Sequence, residues 1–142
     1  YQPFTKAGLL DWQAIKSFAE KAIKDYEVST PSKDTQTRLL SGGNVQKVIL
    51  ARELSCEPKL VVAAHPTYGL DVSATALTHE LLLKQRERGA AVLLVSEDLD
   101  ELFKLSDRIA VMFAGQVVGI VDTESANREE VGLMMAGSKV AA

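Results

Sequence analysis

Ser41-Gly42-Gly43-Asn44 stand where a polar loop gives way to a helical pattern, and their types suit an anion. The first turn of a helix presents unpaired backbone N–H groups and the positive end of the macrodipole. Glycines there let a phosphate approach the backbone, and Ser41 adds a hydroxyl donor. The same residues also suit an ordinary serine N-cap with a glycine hinge, and spacing alone leaves both readings open. A second stretch, VVAAHPTYGLD over residues 61–71, is an apolar run that stops at His65 and turns through Pro66 and Gly69 to Asp71. An imidazole at a strand tip can accept a proton near neutral pH, so His65 is either a base or a residue that fills a structural place.

The elements that must carry these residues follow from periodicity. Asp11 reads as an N-cap, with Leu10 and Ile15 as a hydrophobic staple, and Ile15, Phe18, Ala19, Ala22 and Tyr26 recur at helical spacing over residues 11–27. Residues 28–38 are polar and aperiodic, a loop. A helix starts after Gly42 and Gly43, with Val45, Val48, Ile49 and Ala51 on one face and Gln46, Lys47 and Arg52 elsewhere. Residues 59–64 and 90–95 are short apolar runs, expected to be strands buried on both faces of a parallel sheet. Between them residues 72–88 form a helix with Leu77, Leu81 and Leu82 at helical spacing, closed by Gly89. A short acidic helix over 98–105, a hairpin hinged at Gly115, a helical segment over 127–135 and the small-residue tail GSKVAA complete an α/β alternation.

Composition bounds the rest. The 142 residues allow one domain or a piece of one, and 16 basic against 19 acidic residues, interspersed, give no basic stripe for nucleic acid. Cys56 is alone, which excludes an internal disulfide, lacks companions at metal spacing and suits a reducing compartment; it reads as a buried or indifferent thiol. No apolar run approaches the roughly 20 residues that span a bilayer, so any membrane connection goes through a partner. The chain opens at Tyr1 without methionine or a signal-like segment, a hint of sequence upstream.

LSGGNVQKVILAREL, followed by an apolar strand, a Pro-Thr turn and Gly-Leu-Asp, closely resembles ATP-binding cassette (ABC) ATPases. Leu40, Ser41, Gly42, Gly43 and Asn44 match the signature motif, Gly69, Leu70 and Asp71 the D-loop, and LLVSEDLDEL the switch region. GGNVQK, ARELS, GLDV, the glutamate of VSED and LMMAG resemble the second cassette of tandem bacterial importers for simple sugars and nucleosides, and the alanine before His65 leans to the nucleoside type. The resemblance implies an α/β P-loop NTPase fold. It also implies that the signature engages ATP held by a partner cassette, while Asp71 crosses the interface to align that partner site.

The resemblance also marks departures. No Walker A loop, G-x-x-x-x-G-K-[ST], is present; GLMMAGSK at 132–139 has Ser and Lys reversed and opens no helix, a false match. The Walker A strand and Q-loop would lie upstream of Tyr1, making this the C-terminal part of a cassette. Residues 1–57 would then be helical subdomain and signature helix, and 58–142 the Walker B, D-loop and switch core with the hairpin. The family's Walker B strand ends in Asp-Glu, but here the positions hold Ala64 and His65, and the switch histidine is replaced by Glu97. Alanine offers magnesium no oxygen, and a carboxylate beside a triphosphate is repelled. His65 is therefore expected to be tucked under the Pro66 turn in a degenerate site rather than catalytic.

The expected whole is an ATPase using ATP and magnesium, paired with a second cassette, bound through a membrane permease at the cytoplasmic face, with no nucleic-acid partner. The fragment alone is expected to bind neither ATP nor magnesium tightly, to be inactive and to self-associate. The rivals are a non-catalytic scaffold cassette and an ABC ATPase outside transport. His79 is assigned no role, Lys47 and Arg52 read as a solvated or interface-facing pair, and Trp12 as packing in the helical subdomain.

Overall fold

The computed structural model describes residues 4–6 and 8–137. In chain order the elements are β1 (Thr5–Lys6), β2 (Leu9–Leu10), α1 (Trp12–Asp25), α2 (Gly42–Leu54) and β3 (Leu60–Ala64). They continue with α3 (Val72–Glu87), β4 (Ala91–Val95), α4 (Leu99–Leu105), β5 (Arg108–Phe113), β6 (Gln116–Asp122) and α5 (Arg128–Met135). A single 3-10 turn, Thr37–Leu39, interrupts the polar loop before α2. Residues 138–142, which complete the expected tail and the Ser-Lys of GLMMAGSK, lie outside the described residues.

Local chemistry sets the helix boundaries. Asp11 caps α1 by accepting from the Gln13 and Ala14 N–H groups at 3.0 and 2.9 Å. α3 ends in a Schellman motif: Gly89 at φ +88 donates to the Arg86 carbonyl, and Ala90 reaches back to the Gln85 carbonyl. Glu27, a non-glycine residue at φ +52, closes α1 with the same pair of bonds, through Glu27 to Lys24 and Val28 to Ile23.

The chain divides into two compact units, one of Tyr1–Val61 and Pro66–Leu93, the other of Val62–His65 and Leu94–Ala142. The first is centred on Tyr26, Val28, Leu50, Ala51, Leu54 and Leu81, where α1, α2 and α3 meet. The second is centred on Leu102, Ile109, Val111, Val131 and Met134. Its antiparallel β5–β6 hairpin turns through Ala114 and Gly115, both at positive φ, and carries a bulge after Val111. A Cβ on Gly119 would fall 2.6 Å from Met134 Sδ on α5, so any larger residue there must displace that side chain.

β3 and β4 are hydrogen-bonded neighbours. The bonds from Ala91 N–H to the Lys59 carbonyl and from His65 N–H to the Val95 carbonyl advance along both strands together, so the pair is parallel. Both strands were expected to be buried on both faces, and they are not. Leu60, Val62, Leu93 and Val95 are exposed and alternate with half-buried neighbours. Side chains alternate across a sheet, so the exposed set shares one face and the half-buried set the other.

Three further expectations are corrected. On α2 the deeply buried positions are Leu50, Ala51 and Leu54, while Ile49 is exposed. Cys56 is exposed, its thiol against the Glu53 carbonyl, because it follows α2 in the turn to β3. Trp12 is 65% exposed rather than packed, since it opens α1 beside the cap. Leu10, at the expected staple position, also pairs with Thr5 in a β1–β2 ribbon.

Candidate functional site

Leu40, half-buried, packs against the first unit's core and fixes where the chain enters α2. Ser41 is the N-cap of α2 by backbone, with φ −66 and ψ 158, but its hydroxyl accepts no first-turn N–H. The ordinary serine cap left open by the sequence is therefore not made. Instead Ser41 Oγ, exposed, accepts from Asn44 Nδ2 at 3.0 Å. Asn44 Oδ1 in turn accepts from the Ser29 N–H at 2.7 Å, which fixes the start of α2 to the preceding loop.

Gly42 and Gly43 are not glycines for the sake of their own fold. Neither has a positive φ. A Cβ on Gly42 would meet nothing within 4 Å, and one on Gly43 would make ordinary contact with Ala74 Cβ and Leu70 Cδ2 at 4.0 Å. Glycine in a helix costs about 1 kcal/mol relative to alanine. The open first turn thus has bare backbone facing outward, the geometry that admits a phosphate.

Gly69, Leu70 and Asp71 lie in the same unit. The turn over residues 67–70 closes with Leu70 N–H on the Thr67 carbonyl at 3.1 Å, and Gly69 supplies φ +71 at its third position. Asp71 caps α3, accepting from the Ala74 N–H at 2.8 Å and the Ser73 hydroxyl at 2.7 Å. The Ala74 N–H, then the Ser73 hydroxyl, hold its carboxyl below the usual carboxylate range, with a smaller contribution from the Lys47 charge. Tyr68 and Val72, on either side, are 89% and 88% exposed.

Sequence reasoning set Gln46 and Lys47 aside, yet both hold the site. Gln46 Nε2 donates to the Pro66 carbonyl at 3.0 Å, and Lys47 Nζ to the Glu27 carbonyl at 3.0 Å. The signal available was an amide and an amine within five residues of the glycine pair, next to a turn and a helix end rich in carbonyls. Arg52, by contrast, pairs only locally with Glu53.

Ala64, His65 and Glu97 fall in the second unit, Ala64 as the last residue of β3 and His65 and Glu97 just past the carboxyl ends of the paired strands β3 and β4. His65 was expected to be tucked under the turn; it is exposed, at φ +47, while Pro66 is the buried residue. The left-handed backbone that turns the chain out of β3 carries the imidazole outward. Glu97 is exposed, just before Asp98 caps α4. Among the described residues no group of three or more His, Cys, Asp or Glu could hold a metal. The donor set at this strand end does not fit magnesium, which needs several oxygens in octahedral array where Ala64 offers no side-chain oxygen.

No family model matches the chain. It is 44% identical over 137 residues to the guanosine import ATP-binding protein NupO of Bacillus subtilis, covering 96% of this chain and 27% of the relative. It is 41% identical over 138 residues to the nucleoside import ATP-binding protein NupA of Lactococcus lactis, covering 97% and 27%. With the glucose import ATP-binding protein TsgD13 of Haloferax volcanii it shares 45% over 136 residues, covering 94% and 25%. The chain thus spans about a quarter of the length of these curated relatives. Among solved structures, the dimeric ATP-binding cassette MJ0796, in a post-hydrolysis state bound to ADP and Pi, superposes with a TM-score of 0.72 at 26% identity. The match covers 84% of this chain and 52% of that one. Signature-like helix, parallel strand pair and superposition together give the chain the α/β P-loop NTPase fold of an ATP-binding cassette ATPase.

Proposed function

We propose that the chain is the C-terminal part of the second, degenerate cassette of an importer ATPase for nucleosides or simple sugars. Residues 1–57 are its helical subdomain and signature helix, and 58–142 its Walker B, D-loop and switch core. Its work is done in trans: Ser41 and the N–H groups behind Gly42 and Gly43 engage the phosphates of ATP held, with magnesium, by a partner cassette. One observation carries this reading. Gly42 has open space around it and no backbone need for glycine, so its bareness serves an outside group.

Charge builds up on the transferring phosphoryl group, and fixed N–H donors aimed at it lower the barrier without reorganisation. Asp71, its carboxylate engaged on α3, holds the turn that faces the partner, and exposed Tyr68 and Val72 supply apolar area for that contact. The chain's own strand end, with Ala64, His65 and Glu97, does not hydrolyse. ATP binding closes the two cassettes, hydrolysis reopens them, and a permease at the cytoplasmic face of the membrane converts this to uptake. No helix among the described residues is long and apolar enough to cross a membrane, in keeping with attachment through that partner. Alone, the chain is inactive, holds ATP and magnesium weakly, and self-associates through its exposed strand faces.

The test is phosphate release by the full-length ATPase with its permease. Ser41→Arg, which fills the first turn with a side chain, is expected to abolish turnover. Unchanged turnover would favour a scaffold cassette, and co-purification without any permease an ABC ATPase outside transport.

A further inference from the structure

The signature segment and the Gly69–Asp71 segment are separate in sequence but mechanically joined, and the join runs through Gln46. Its amide, half-buried on the second turn of α2, donates to the carbonyl of Pro66, the first residue of the turn that leads into Asp71. Beside it Gly43 lies at contact distance from Leu70 and Ala74, and Lys47 exerts its charge on Asp71. A single neutral donor thus sets the height of the open helix start against the Asp71 turn.

We infer that Gln46 is a positioning residue that locks the phosphate-engaging start of α2 and the Asp71 turn into one partner-facing unit through its bond to the Pro66 carbonyl. The inference rests on the reading that Ser41-Gly42-Gly43 serves a partner's ATP. The part that matters is the N–H donor: an isosteric apolar side chain fills the space without fixing the angle of α2. Small misplacements of charge-stabilising donors slow the chemical step more than they weaken binding that is made elsewhere. ATP would be bound mainly by the partner, so loss of Gln46 is expected to lower kcat and leave KM nearly unmoved.

The experiment compares Gln46→Met and Gln46→Lys in the full-length ATPase with its permease, with kcat normalised to folded enzyme and Ser41→Arg as control. Expected are a fall in kcat of about tenfold for Gln46→Met, KM within about twofold, and recovery of most of the rate by Gln46→Lys, which restores a donor. An unchanged kcat in Gln46→Met, a rise in KM alone, or an equal loss in Gln46→Lys overturns the role. If Gln46→Met does not fold, wild-type kcat in Gln46→Glu, which cannot donate, overturns it, and a tenfold loss there supports it. If Ser41→Arg leaves turnover intact, the signature reading falls and this role with it. If Ser41→Arg abolishes turnover while Gln46→Met is fast, only the role of Gln46 falls.

Discussion

In the proposed reading the open start of α2 and the strand end at Ala64-His65 are the two places where the chain would meet nucleotide, and they differ in kind. At α2 the backbone is bare, the serine hydroxyl is not spent on a cap, and Asn44, Gln46 and Lys47 anchor the helix from behind. At the strand end the backbone turn is kept, with His65 bonded through its N–H to Val95, but residue 64 has no side-chain oxygen for a metal. Geometry outlasts chemistry where the fold needs the turn. On the proposed reading, chemistry persists where another chain would use it.

The comparison breaks first at the open helix start. Gly42→Asp, which would set a carboxylate against the phosphates that the proposed reading places there, is expected to lower turnover of the full-length ATPase by about a hundredfold or more, read as phosphate release. Wild-type turnover would erase the distinction between the two regions. A gentler change sharpens it: Gly42→Ala fits the open space, so the melting temperature should hold or rise while turnover falls about tenfold. A loss of stability equal to the loss of rate would mean that the glycine serves the fold after all.

Asp71 gives a smaller, pH-resolved effect. Its carboxyl is held low in the folded chain by the Ala74 N–H and the Ser73 hydroxyl. The stability it lends is present above the ordinary carboxylate pKa and is lost as pH falls through the lowered folded value. Asn is also a good N-cap, so Asp71→Asn should unfold much as wild type near neutral pH and show a shallower loss of stability in acid by urea titration. The smallest effect belongs to the strand end. His65→Ala should leave turnover within about twofold, since residue 64 has no carboxylate to anchor magnesium and orient an attacking water for the imidazole. A large loss there would restore His65 as a base.

How much of this could be read before the structure differs by kind of signal. Asp11, Gly89 and Gly115 announce their elements because a cap or a positive φ depends on the residue in place. The glycine pair after Ser41 was legible for a different reason, since the sequence alone shows side chains withheld from a helix start. Burial was less legible. On α2, four consecutive apolar residues from Val48 to Ala51 fit more than one face, and tertiary contacts chose Leu50 and Leu54 over Ile49. The exposed faces of β3 and β4 depend on which layers cover them, which composition does not encode. β1 and β2, two residues each, are too short to carry a period. The outward His65 follows from a left-handed backbone that a histidine adopts only in context.

The anchors behind α2 share a property with an evolutionary consequence. Asn44, Gln46 and Lys47 grip the Ser29 amide, the Pro66 carbonyl and the Glu27 carbonyl, main-chain groups rather than side chains. Any residue can supply a carbonyl, and any but proline an amide. Drift at positions 27, 29 and 66 therefore leaves the grips intact, and no compensating pair of substitutions is needed. Correlated change between aligned positions, which marks contacts between side chains, would pass over this junction even where selection holds its three donors and acceptors fixed.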